Sequence, residues 1–312
     1  MKFCPDILDE TIEKIENKTL LYENNIIIGD NASGKSELIK RMVERKISKG
    51  ERIYFIDSVN RYFDVSKVDN SLVSIEDEKN IVRKRMGIEC FNVVDSFSMY
   101  GTATESVEMI YSKYEQQVQE MLRNFCGISF NITFPKEKLV KYNDGLEGKV
   151  SNGIQALVRI FVELQYLNSV LEDEQIIVVI DELDEFLSPA NAAKIFPFLV
   201  NNFSQMKFVI STHSSDIVRT AENCNVIILH RNTYEVIDSN DFDSEGDVQL
   251  IFQRLFGEKE EQKDEIEQKL RILLNNKMMG AWGKNDDMTF DEIKEENLSN
   301  AQKILYRRIK EW

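Results

Sequence analysis

No stretch of the 312-residue sequence is an apolar run of the roughly 20 residues that a membrane-spanning helix needs. The opening residues, MKFCPDILDE, are acidic and lack the apolar segment of a secretory leader. Cysteine is scarce. Cys4, Cys90, Cys126 and Cys224 are far apart and form no Cys-x-x-Cys pair, which argues against a disulfide framework or a zinc site and for reduced thiols. Positive charge is also in deficit, with 39 Lys and Arg against 54 Asp and Glu, a formal net charge of −15. Non-specific nucleic-acid binding needs clustered cations, so this chain is not expected to coat DNA, although a local basic patch is compatible with its composition. There is no internal repeat and no low-complexity linker. These absences point to a cytoplasmic globular chain with no membrane association. At 42% hydrophobic and 30% charged, it is long enough for one large core or two modest ones.

The patterning that is present alternates strands with helices. NNIIIG reads as a short buried strand, and GKSELIKRMVERKISKG as a helix stopped by Gly50. RIYFIDSV, QIIVVIDE, KFVIST and CNVIILH read as further buried strands. Strands separated by helices predict an α/β fold with a mostly parallel core sheet. From about residue 75 to 170 the pattern changes. Val107, Ile110, Tyr111, Tyr114, Val118 and Leu122 recur at helical spacing, ISFNITF and KLVKYNDG alternate around a turn at Asn143–Gly145, and GIQALVRIFVELQYL is a strongly apolar helix. This region is expected to be an inserted, mainly helical lobe within a head spanning residues 1–257. Residues 258–312 are charged and carry two amphipathic patterns, Ile266, Leu270, Leu273 and then Ala301, Ile304, Leu305, Ile309, Trp312. They read as C-terminal helices packed on the core, or alternatively as a docking element for a partner.

Four stretches carry chemistry. The first is Gly-x-x-x-x-Gly-Lys-Ser: Gly29, Asp30, Asn31, Ala32, Ser33, Gly34, Lys35, Ser36, set between a strand and a helix. A triphosphate is a dense polyanion, and a turn of inward-pointing N–H groups ending at a helix N-terminus cradles it. The glycines permit the tight backbone, Lys35 reaches the β- and γ-phosphates, and the Ser36 hydroxyl ligands magnesium. Lys35 is expected to be exposed before phosphate binds. The second is IIVVIDELDEF, a buried strand ending in Asp181–Glu182. There Asp181 holds magnesium and Glu182 polarises the attacking water, while Asp184 and Glu185 read as bystanders. In the third, Ser151 and Gly153 precede an apolar helix and offer a hydroxyl and an N–H at its N-terminus. In the fourth, His213 ends a buried strand, where it can reach a γ-phosphate or the attacking water. His230, placed similarly, reads as structural.

Taken in order, these four motifs resemble those of ABC-type ATPases. VSNGIQALV is similar to the signature LSGGEQALV of the SMC, RecF and RecN branch. DELDEFLSP and VISTHSSDIV resemble segments of OLD-type and related small ABC ATPases. The resemblance covers about residues 20 to 235. It implies a nucleotide-binding head in which two heads sandwich two ATP molecules with magnesium. Ser151 and Gly153 of one chain would close on the phosphate held by Gly29–Ser36 of the other. It further implies a homodimer or higher homo-oligomer acting on a protein partner, by analogy an effector nuclease or toxin in anti-phage defence or DNA maintenance.

The sequence departs from that pattern in two places. No glutamine occurs between Met1 and Glu115, so the usual glutamine loop is missing, with Asn60 as a stand-in. Ser188 stands where SMC heads carry an aspartate. A nucleotide-gated sensor or scaffold with little turnover is therefore a second reading. A transporter's nucleotide-binding subunit is a third, and the SMC-like motifs disfavour it.

Overall fold

The computed structural model describes residues 5–58, 61, 63–68, 103–132, 139–170, 175–230, 232–242, 245–256 and scattered positions from 269 to 310. Asn60, Cys4, Cys90, Ile266, Ala301, Ile304, Leu305 and Trp312 lie outside them. The chain divides into two units, Met1–Val248 and Gln249–Trp312.

The first unit is built on a six-stranded sheet. Its strands are β1 (Asn25–Ile28), β2 (Ile53–Ile56), β6 (Ile176–Ile180), β7 (Met206–Ser211), β8 (Asn225–Leu229) and β9 (Tyr234–Asp238), in the order β2-β6-β7-β1-β8-β9. All neighbours pair in parallel except β8 and β9, which form an antiparallel pair. β1, β2 and β8 are buried along their whole length. That is why their sequences are continuous apolar runs rather than alternating ones. The expected α/β fold with a mostly parallel core sheet is what the strand order shows. β9 and the N-terminal helix α1 (Pro5–Glu16) were not anticipated, because YEVID is half exposed and α1 lies before the first motif.

Helix α2 (Lys35–Ser48) follows β1. Leu38, Ile39, Met42 and Val43 of α2 join Leu8 and Ile12 of α1 and Ile27, Val179, Val209 and Ile227 of the strands in one core cluster. Gly50 ends the α2 segment at φ 72, the left-handed conformation expected of a helix stop. Long α3 (Ala103–Cys126) and α4 (Asn152–Val170) pack together through Tyr114 against Tyr166 and Phe125 against Phe161. All six apolar positions read from the α3 periodicity are buried. Between these helices lies a small antiparallel sheet of β3 (Phe130–Ile132), β4 (Val140–Tyr142) and β5 (Glu147–Gly148). Its β4–β5 turn contains Gly145 at φ 87. Helices α5 (Pro189–Asn202), α6 (Ser215–Thr220) and α7 (Glu245–Phe256) complete the elements up to residue 256, with α7 crossing the division between the units.

The second unit contains α8 (Lys284–Asp291) and its own apolar cluster. Leu270, Leu273 and Ile309, one or more from each amphipathic pattern, are buried with Ile293 and Leu298, and Phe290 stacks on Tyr306. Among the described residues no helix is long and apolar enough to cross a membrane.

Candidate functional site

Parallel pairing sends β1, β2, β6, β7 and β8 the same way, so their C-terminal ends share one edge of the sheet, where open α/β sheets bind ligands. Register sets the neighbours. Ile27 pairs with Ser211, Ile180 with Ile210, and Ile56 with Ile180. The residues that follow, Gly29, Asp57, Asp181 and Thr212–His213, are thereby brought to one rim.

The Gly29–Ser36 loop leaves β1 at a point of close backbone contact. A Cβ on Gly29 would lie 2.4 Å from the Leu229 carbonyl oxygen and 2.6 Å from Ser33 Oγ, so only glycine fits. Ala32 and Gly34 take left-handed conformations, φ 62 and φ 105. Gly34 caps α2 without any side-chain hydrogen bond, which leaves the first-turn N–H groups of α2 without a side-chain cap, in the manner of an anion site. Inside the loop, Asn31 N donates to Asp30 Oδ1 (2.6 Å) and Ser33 N to the Asp30 carbonyl (3.1 Å). Ser36 is partly exposed.

The expectation of an exposed Lys35 is corrected: the residue is buried, at 7% exposure. Its ammonium donates to the Gly29 carbonyl (2.7 Å) and the Asp30 carbonyl (3.3 Å). With these two main-chain oxygens to bond, the ammonium folds back on the loop rather than into solvent. Burial lowers its pKa, against the opposing pull of Glu182, Asp181 and Asp30.

Asp181 and Glu182 leave β6 beside β7. Asp181 is 6% exposed, and burial raises its carboxyl above the usual range, opposed by Ser211, Arg61 and Lys35. Glu182 is half-buried with φ 47. Burial raises its carboxyl too, reinforced by Asp181, Glu185 and Asp184. His213 Nε2 lies 3.9 Å from Glu182 Oε1. Burial and the Lys35 charge lower the His213 pKa, so its neutral form is favoured. His230 instead belongs to the β8–β9 turn, where its N donates to the Thr233 carbonyl (2.9 Å).

Several residues here were missed or misread from sequence. Asp184 is not a bystander, because its Oδ1 accepts from Thr212 Oγ1 (2.6 Å) and His213 N (3.3 Å) and so ties the β6 and β7 loops together. Ser211 bonds to both Asp181 and Glu182. Buried Asp57 follows β2 beside Asp181, and fully buried Arg61 donates from Nη2 to the Asp181 carbonyl (2.8 Å). In sequence, the proposed stand-in Asn60 falls between these two, outside the described residues. A signal for Asp57 was present, since YFID repeats the VVID pattern of an apolar strand ending in aspartate. Ser211 becomes visible only once β7 is placed between β1 and β6.

Ser151 is exposed just ahead of α4, and its Oγ accepts weakly from Ile154 N (3.4 Å). Gln155 braces the turn, donating to the Val150 carbonyl (2.8 Å) and accepting from Phe63 N (3.4 Å). Gly153 lies against the loop after Glu182, where a Cβ would come 2.9 Å from the Phe186 carbonyl oxygen. Phe186 itself has φ 65 and is 48% exposed. Among the described residues, no hydrogen bond or ion pair joins Ser151 or Gly153 to the Gly29–Ser36 loop of the same chain. Ser188 caps α5, accepting from Asn191 N (3.4 Å).

The donor set suits a hard cation. The Asp181 carboxylate and the Ser36 hydroxyl offer oxygen donors, and magnesium takes one or two protein oxygens and completes its shell from phosphates and water.

A scan against protein-family models and a search of curated proteins return no match. Solved structures do match. The SMC head domain from Thermotoga maritima shares 13% identity, covering 69% of this chain and 89% of that one, with a TM-score of 0.36. The cbiO1 component of the ABC transporter complex cbiONQ from Clostridium perfringens shares 17% identity over 75% and 85%, with a TM-score of 0.37. A dimeric ATP-binding cassette in a post-hydrolysis state bound to ADP and Pi shares 15% identity over 70% and 86%, with a TM-score of 0.35.

Proposed function

We propose that this chain binds and hydrolyses ATP at the C-terminal edge of β1, β6 and β7. The observation that carries this reading is convergence. A glycine loop at the start of α2, a buried lysine, an Asp–Glu pair and a histidine meet at one edge although the sequence spreads them over 180 positions. The Gly29–Ser36 N–H groups and Lys35 would hold the β- and γ-phosphates. Ser36 and Asp181 would hold magnesium, which when bound neutralises phosphate charge. Glu182, its carboxyl raised by burial, would take a proton from the attacking water, and His213 would orient that water or the γ-phosphate. Titration calorimetry with ATP and magnesium, together with steady-state phosphate release, tests this directly. No heat of binding would end the assignment.

The site as described is one-sided, with Ser151 exposed and not hydrogen-bonded to the loop. We infer that Ser151 and Gly153 complete a partner chain's site in a homodimer closed by ATP and reopened by hydrolysis. By analogy with small ABC ATPases, this cycle would control a protein partner such as an effector nuclease or toxin in anti-phage defence or DNA maintenance. Residues 258–312 are our preferred docking segment. A second reading, a nucleotide-gated sensor with little turnover, is favoured by the absence of the usual glutamine. Nucleotide binding without measurable phosphate release would select it.

A further inference from the structure

Ser211 ends β7 between β1 and β6, and its side chain is wholly enclosed. It makes three bonds to three consecutive residues. Its Oγ donates to Asp181 Oδ1 and accepts from Glu182 N (2.8 Å), and its carbonyl accepts from Leu183 N (3.0 Å). The residue held in the middle is the one with the unusual backbone. Glu182 sits at φ 47, a conformation that residues with a Cβ rarely adopt unless their surroundings impose it. The Asp184 carboxylate makes the return connection to Thr212 and His213. The loops after β6 and β7 are therefore laced together on both sides of Glu182.

We propose that Ser211 is a positioning residue for hydrolysis: its hydroxyl bridges the Asp181 carboxylate and the Glu182 amide, and so fixes the left-handed turn that aims the Glu182 side chain into the site. This rests on the ATPase reading above, but the geometry it invokes can be measured separately. Both hydrogen-bonding roles of the hydroxyl are in use. Alanine would remove them together, leaving the Glu182 N–H unpaired in a dry environment. The turn would then be free to relax toward an ordinary conformation, carrying the Glu182 carboxylate away from His213. Phosphate gripping belongs to the Gly29–Ser36 loop and would not change.

The experiment uses the full chain, Ser211→Ala and Ser211→Thr. For Ser211→Ala we expect kcat to fall about 10-fold or more, since small misplacements of a catalytic group are costly. Calorimetric affinity for a non-hydrolysable ATP analogue with magnesium should stay within about 3-fold, the signature of an interaction used in the reaction step rather than in binding. Ser211→Thr retains a hydroxyl and should recover most of the loss. Hydrogen exchange provides the readout that does not depend on activity. The Glu182 amide should exchange about 10-fold faster or more in Ser211→Ala, while the Asp181 amide, bonded to the Ile56 carbonyl (3.0 Å), keeps its protection. Unchanged Glu182 exchange overturns the proposal, and so does an equal loss of affinity and kcat. If Ser211→Thr does not fold, the exchange result on Ser211→Ala decides. A parent chain that binds no nucleotide would refute the ATPase reading instead, and the exchange result would still judge the clamp.

Discussion

Gly29, Lys35 and Glu182 occupy one rim for three different physical reasons, and each makes a separate prediction. Gly29→Ala would drive a methyl group into the Leu229 carbonyl, so this variant should lose both nucleotide binding and thermal stability. Lys35→Ala removes the ammonium from the loop while leaving Gly34 and the α2 turn intact. It should fold and melt near the parent temperature, yet bind ATP at least ~10-fold more weakly by calorimetry. Glu182→Gln keeps Asp181 and Ser36, so affinity should persist while phosphate release falls by about 10²-fold or more. The members of the loop, Asp181, Glu182 and His213 were legible because each sits at a strand end within a recognisable order. Ser211, Asp184, Asp57 and Arg61 were not. Their partners lie on other strands, and only pairing register shows that Ser211 faces Asp181.

Among the elements, α4 departs most from its sequence pattern. GIQALVRIFVELQYL reads as an apolar helix, yet Arg159 and Glu163 within it are both fully buried, 3.2 Å apart. Glu163 also accepts from Tyr54 OH (2.9 Å), and Glu108 of α3 accepts from Asp64 N (2.6 Å). The i,i+4 spacing of Arg159 and Glu163 could be read from sequence, but their burial could not, because charged residues are normally assigned to the outer face. Removing the cation leaves buried carboxylates uncompensated, so Arg159→Met should lower the unfolding free energy by about 3–5 kcal/mol in urea titrations. Burial raises Glu108 to about 7 from an ordinary 4.5. The folded chain therefore binds this proton more tightly than the unfolded chain does. That contribution is fully present below pH 4.5 and is lost as pH rises through 7. Unfolding free energy should fall across this window by something on the order of 3 kcal/mol, and Glu108→Gln should flatten that slope. Identical pH slopes in the two proteins would show that Glu108 titrates normally.

At the scale of the whole molecule, the proposed ATP-closed dimer makes the most direct prediction. Glu182→Gln should gain mass with ATP and magnesium in light scattering, because reopening needs loss of the γ-phosphate. Adding Ser151→Arg, at an exposed position, should abolish that gain without lowering the melting temperature. With a net charge of −15, the chain alone should show little binding to random duplex DNA at about 0.15 M salt. The sheet order also has a consequence for how the chain is made. β1 leads into the Gly29–Ser36 loop, but its neighbours on either side are β7 and β8. Asn24 Oδ1 accepts from an amide 184 positions later, and Asn25 Oδ1 from a side chain 200 positions later. At roughly 5–20 residues per second, about 10–40 s of synthesis separate the emergence of NIII from that of its partners on both sides. During that time the strand is apolar and unpaired, and a nascent chain ending at Val170 would contain every residue of the Gly29–Ser36 loop without the sheet that shapes it. Such a fragment should retain no ATP, and ribosome-bound chains of increasing length should acquire nucleotide binding in a single step, after β8 has cleared the exit tunnel.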